Sequence, residues 1–206
     1  MAEAGLNPVV YSKNVIEFVT VANEYCRFIE GAGNEQARGV LSKAQKILPL
    51  LYLKASMLPD FDSSEELMLE KYVTEVDYNF LQQRLMNLFG EYDDYQEVFD
   101  QGIQFSDTPL VASISENLTD IYQDVKDFIL SYRIGDDQVM LEAIWECFNN
   151  FRNYWGQKLV NVLRAIHSLI YNNQVDFADQ KEIQDLDSQD SSKPDWLNNL
   201  FKNQRE

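Results

Sequence analysis

The sequence predicts an all-α fold, a single bundle of about five helices around one long central C-terminal helix. Three observations predict it. Apolar side chains recur at three- and four-residue steps through most of residues 12–171. Cap and stop residues bracket these stretches, with Ser12 before and Gly31 after the first, Gly90 after the third, and Gly135-Asp136 ahead of the last. A hydrophobic content of 45%, including 13% aromatic residues, is enough for the core of one domain.

The long element runs from Asp136, an N-cap type, to Tyr171. Trp145, Phe148, Trp155, Leu159, Val162, Ile166 and Leu169 make one stripe, and Gly156, Val160, Leu163 and Ile170 make a second. A helix that is apolar on more than one side is expected at the centre, with neighbours around it. At about 1.5 Å per residue it spans roughly 50 Å.

The first helix is expected over Lys13 to Glu30, on a stripe of Val15, Val19, Ala22, Cys26 and Ile29. The second follows Asn34, with Ala37, Leu41, Ala44, Leu48, Leu51, Ala55 and Leu58 facing inward. Pro49 lies inside it and removes a backbone donor, so a kink is expected. Ile47–Leu53 is apolar nearly all round, which predicts deep burial there. Pro59 ends this helix, and Ser63 with Glu66 offers a capping box for a third running to Phe89. From Gly90 to Asp107 the periodicity weakens into a long connection, with one helical turn allowed at Tyr92–Phe99. Thr108 as N-cap and Pro109 at the first position open the fourth helix. Its stripe is Ile114, Leu118, Ile121, Val125, Phe128 and Tyr132.

Beyond Tyr171 the composition changes. Residues 172–193, rich in Asp, Gln, Asn and Ser, read as a disordered acidic and polar linker. Residues 194–203 read as a short amphipathic tail helix carrying Trp196, Leu197, Leu200 and Phe201.

Seventeen basic residues against 34 acidic ones give a formal charge of −17. Such a chain repels phosphate backbones and anionic membrane surfaces, so neither nucleic acid nor a membrane is an expected partner. No stretch has the length of apolar residues that spans a bilayer, and the N-terminus lacks the pattern of a secretory signal. Cys26 and Cys147 fall beside apolar residues and read as small buried hydrophobes of a reducing, cytoplasmic setting.

Four stretches carry a resemblance. They are Glu17-Phe18-Val19 through Tyr25-Cys26, Leu48-Pro49-Leu50-Leu51-Tyr52-Leu53-Lys54-Ala55, Asp120 through Phe128, and Phe151 to His167 with Tyr154-Trp155-Gly156-Gln157 inside it. Together the chain resembles an uncharacterised bacterial family of all-helical domains of unknown function. The resemblance implies a helical bundle and carries no activity, cofactor or partner.

Two sets of residues are candidates for function. Arg152, Gly156 and His167 fall on one face of the long helix and mark a candidate pocket. His167, the one histidine, is more readily a partly buried core residue than a base, and a lone histidine argues against multi-His zinc sites. Glu116, Asp120, Asp124 and Asp127 share one face of the fourth helix within about 80° of arc. Because the apolar stripe points away from them, a solvated face is the expectation. No basic residue occurs from Leu85 to Val125, while nine acidic ones do, which suits a partner with a basic surface. Phosphate-loop and calcium-loop spacings are missing.

The functional expectation is an intracellular, non-enzymatic protein-interaction or regulatory module without cofactor. Its candidate contacts are Asp120, Asp124, Asp127, Trp196, Leu200 and Phe201. The alternative is a hydrolase of a phosphorylated small molecule or nucleotide, in which Asp120, Asp124, Glu142 and Glu146 converge on Mg²⁺ or Mn²⁺.

Overall fold

The structure, a computed structural model, describes residues 9–62, 67–96 and 111–172. Within them the chain is a helical bundle with a minor two-stranded sheet. Helices α1 (Lys13–Gly31) and α2 (Ala37–Ser56) are joined by a 3₁₀ turn at Ala32–Asn34. They run antiparallel, since Lys54 near the end of α2 pairs with Glu17 near the start of α1 at 2.7 Å, and Asn14 Nδ2 donates to Met57 O at 3.0 Å. Helix α3 (Glu75–Phe89) follows, then a 3₁₀ turn at Gly90–Tyr92 and strand β1 (Asp94–Gln96). Strand β2 (Val111–Ser113) pairs with β1 antiparallel, with Tyr95 opposite Ala112, and leads directly into α4 (Ile114–Tyr132). The last element comprises α5 (Asp137–Asn150), a π-helical turn at Phe151–Trp155 and α6 (Gly156–Tyr171), continuous from one to the next.

The sequence placed this last element at the centre; the structure gives that position to α4. It packs against α1, α3, α5 and α6. Fourteen of its 19 residues are buried, against six of 16 in α6. Of its first stripe the long helix buries Trp155, Leu159, Val162 and Ile166, while Trp145, Phe148 and Leu169 are only partly buried. Trp155 is fully enclosed and its Nε1 donates to Cys147 O at 3.3 Å. Its other side, including Arg152, Tyr154, Val160, Arg164 and His167, is exposed. The expectation failed because α4 buries polar residues that a hydrophobicity pattern assigns to water. One example lies against α1, where Lys126 Nζ pairs with Glu30 Oε1 at 2.7 Å and Tyr122 Oη donates to the same oxygen at 2.9 Å. Each buried polar atom there meets a partner, so its desolvation is offset.

Local signals account for several boundaries. Asp136 Oδ1 accepts from the backbone N–H of Gln138 and Val139 at 3.0 and 3.1 Å, a side-chain N-cap. Gly90 and Gly135 close their segments at φ 55° and 78°, where a Cβ is strained. Ser12 is the N-cap residue of α1, but its hydroxyl makes no capping bond. The inward stripe of α2 is buried from Ala37 to Leu58 as expected, and α2 continues helically through Pro49.

Other boundaries differ. Helix α3 starts at Glu75, capped by a reciprocal box between Thr74 and Asp77, and residues 67–73 are not helical. Val76, in the first turn of α3, is 70% exposed. The residues Ser63 and Glu66, proposed as the capping box, lie outside the described residues, as do Thr108, Pro109 and the whole of 173–206. The fourth helix begins at Ile114, behind β2 and an N-cap at Ser113. Asp93 organises that start. Its carboxylate accepts from Ser115 N at 2.7 Å, and from the hydroxyls of Ser113 and Ser115 at 2.7 and 2.6 Å. The deep burial expected of Ile47–Leu53 is also corrected. Leu48 and Leu51 are enclosed, while Leu50, Tyr52 and Leu53 are 44%, 41% and 51% exposed. Helix α2 packs chiefly on α1 and α6, which leaves its opposite side to solvent.

Candidate functional site

The acidic side of α4 is not a solvated face. Glu116 is exposed, but Asp120 and Asp127 are buried and Asp124 is partly so. They are directed at neighbouring elements and divide into two centres.

Asp120 belongs to the first. Tyr78 of α3 donates its hydroxyl at 2.7 Å, and Lys158 of α6 pairs with the other oxygen at 2.7 Å. Lys158 also donates to Asn117 Oδ1 at 3.3 Å and lies 5.0 Å from the Tyr154 ring centroid. Burial pushes the Tyr78 phenol well above its ordinary range, and the Asp120 carboxylate adds to that. Burial disfavours the Lys158 ammonium, but its bond to Asp120 prevails and holds its pKa above the usual value. The centre is a satisfied network that ties α3 and α6 to α4.

Asp124 and Asp127 belong to the second, on the side where α5 and residues 69–73 meet α4. Asp127 Oδ1 accepts from the backbone N–H of Tyr72 and Val73 at 2.9 and 3.0 Å. These bonds anchor the segment before α3 outside helical geometry. Burial raises the Asp127 carboxyl, and the two N–H donors oppose it. Asp124 accepts one amide bond, from Asn150 at 2.7 Å. Burial, with Asp127 and Glu146 nearby, pushes its carboxyl up to about 6. Glu146 is in turn bound by Lys71. A cleft of about 260 Å³, counted with the solvent at its mouth, lies here, lined by Lys71, Asp124, Asp127, Glu146, Cys147 and Asn150. Burial pushes the Cys147 thiol up, so it remains protonated.

The four carboxylates of the metal alternative are therefore separated in their bonding. Asp120 is taken by Lys158 and Tyr78, Glu142 is buried, and Asp124 and Glu146 line the cleft. Among the described residues no three His, Cys, Asp or Glu side chains stand together as a metal-binding group.

The candidate pocket on the long helix is not gathered either. Arg152 is exposed, pairs with Asp60 at 3.1 Å and lies 4.8 Å over the Phe148 ring. His167 is exposed beside the Tyr171 ring, 4.7 Å between centroids, and is not a core residue. Gly156 does allow a close approach, but to its own helix. Its N–H donates to Phe151 O across the π turn, and a Cβ there would stand 2.3 Å from that oxygen.

What sequence reasoning missed is on α2. Leu50, Leu53 and Met57, the last 40% exposed, follow Lys46 at steps of four, three and four. At 100° per residue Lys46, Leu50 and Leu53 fall within about 60° of arc, and Met57 follows at the C-cap of α2. The signal was present as an apolar run too wide for one buried stripe.

Fold and site define a helical-bundle domain with an apolar outer stripe and internally bonded carboxylates. The chain belongs to the family described as a domain of unknown function, DUF5063, whose model matches residues 9–172. It is similar to protein BF1032 from Bacteroides fragilis, a structural-genomics target with a crystal structure. The identity is 43%, the TM-score 0.72, and the match covers 82% of this chain and 99% of the other. No curated protein matches significantly. No helix of the described residues is long and apolar enough to cross a membrane.

Proposed function

We propose that the domain is a non-enzymatic, intracellular protein-interaction or regulatory module whose docking surface is the outer stripe of α2. The observation that carries this reading is the exposure of Leu50 and Leu53 in line along α2, with exposed Met57 at its C-cap. An apolar stripe of this spacing accepts the apolar face of a partner helix or segment. The acidic excess of the chain favours a partner with a basic surface during encounter. The buried carboxylates Asp120 and Asp127 support this reading indirectly, since both are engaged in holding the bundle together.

The cleft supports a second reading, a Mg²⁺- or Mn²⁺-dependent hydrolase of a phosphorylated small molecule or nucleotide. Its support is the placing of the Asp124 and Glu146 side chains in one cleft, where Asp124 accepts an amide bond from Asn150 and burial raises its carboxyl. One experiment separates the two. The full chain and its Leu50→Glu/Leu53→Glu variant serve as baits in cross-linking capture, beside a metal-supplemented hydrolysis panel. A protein retained by the wild type and lost by an equally stable variant is the expected result. Metal-dependent hydrolysis abolished by Asp124→Asn would overturn the leading reading.

A further inference from the structure

We propose that the resident occupant of the α2 stripe is the chain's own C-terminal segment, with Trp196, Leu197, Leu200 and Phe201 seated on Leu50, Leu53 and Met57 of the same molecule. This rests on α2 being a docking surface and names what covers it before a partner arrives.

The segment has a matching chemistry. Its four apolar residues fall at helical spacing and bring two aromatic rings to one face. The tether has a matching length. Helix α6 begins beside the C-terminal part of α2, where the Tyr52 and Phe151 rings are 5.1 Å apart and Arg152 pairs with Asp60. It then runs along α2, so Tyr171 ends about 30 Å from Phe151 at ~1.5 Å per residue. The tail must return roughly that distance to reach Leu50–Met57. A flexible chain of the length of 173–195 has a root-mean-square span of about 25–30 Å. The charges also match. Residues 173–193 hold six acidic residues against Lys181 and Lys193. On α2, Arg38 and Lys46 are exposed, and neither has an ion-pair partner among the described residues. Lys46 heads the apolar stripe itself.

The same facts favour an occupant in cis over a second copy. Two chains of formal charge −17 repel each other. The tether instead presents the segment at an effective concentration of about millimolar. Release of the tail then regulates access to the stripe, because partner and tail compete for Leu50, Leu53 and Met57.

Disulfide trapping in the full chain tests this. The native Cys26 and Cys147 are buried and do not compete. Leu53→Cys/Leu200→Cys is compared with Glu24→Cys/Leu200→Cys, where Glu24 is an exposed position on α1. The expected result is an intramolecular link that forms at least about tenfold faster in the first pair, as a docked tether requires. Equal rates for the two pairs, or no link, overturn the proposal, and a link between two chains overturns the cis arrangement. If the tail fails to link while Leu53 still governs partner capture, the tail proposal falls and the docking reading stands. Failure of both measurements removes both.

Discussion

Asp124 and Asp127 lie three residues apart on α4, and the donors each one meets set their different states. Asp127 receives two backbone N–H bonds, whereas Asp124 receives one side-chain amide and faces Glu146 and Asp127. Burial therefore dominates at Asp124 and raises its folded-state pKa to about 6, while the unfolded chain keeps a value near ~3.9. A raised folded pKa means that the folded chain binds the proton more tightly. The stability this contributes is complete below the unfolded pKa and is lost as pH rises through the folded one. Asp124→Asn keeps an oxygen for the Asn150 amide and carries no charge to lose. The variant should match the wild type at about pH 4 and exceed it by ~1–3 kcal/mol at about pH 8, the lower end reflecting the partial exposure of the site. Urea unfolding at the two pH values reads this, and an equal difference at both would show that Asp124 titrates normally. None of this was legible in the sequence. Spacing put the acids on one face but could not show that α3, α5 and α6 converge on that face.

Element by element, the inward stripes were legible because their periodicity is local. Ala37 to Leu58 of α2 and Ile114 to Phe128 of α4 are buried where the three- and four-residue steps put them. Boundaries set by distant residues were not. Residues 67–73 carry helix-compatible apolar residues, yet Asp127, more than fifty positions away, bonds their backbone and delays α3 to Glu75. Gly156 was legible as a site of close approach, but the atom approached, Phe151 O, depends on a π turn that the apolar pattern does not encode. On α2 the two apolar sides looked alike in sequence and differ only in whether a neighbour covers them. Leu51 is fully buried and Leu53 is half exposed. Leu51→Ala should accordingly cost ~2–5 kcal/mol, as for leucines in closed cores. Leu53→Ala should stay within about 0.5 kcal/mol. Chemical denaturation of the pair checks the assignment of faces, and comparable losses would place both leucines in the core.

At the scale of the whole molecule, the expectation is a bundle that closes without its tail. The enclosed side chains run from Val10 to Ile166 within the described residues, and they include Trp155, the largest of them. The family match ends at residue 172, one position past the end of α6. Among the described residues, helix α4 is held by α1, α3, α5 and α6, all of them ahead of Asn172. A chain cut after Asn172 should therefore fold with thermal stability within about 1 kcal/mol of the full chain, the difference being the worth of a short docked segment on an exposed stripe. Its surface should change more than its stability. With Leu50, Leu53 and Met57 uncovered, the cut chain should bind a hydrophobic dye more strongly than the full chain, and Leu53→Glu should abolish the increase. Calorimetry with dye titration on both lengths measures the two effects together. A large fall in melting temperature would make the tail part of the core. Unchanged stability and unchanged dye binding would mean that the stripe is bare in the full chain, leaving it open to a partner at all times.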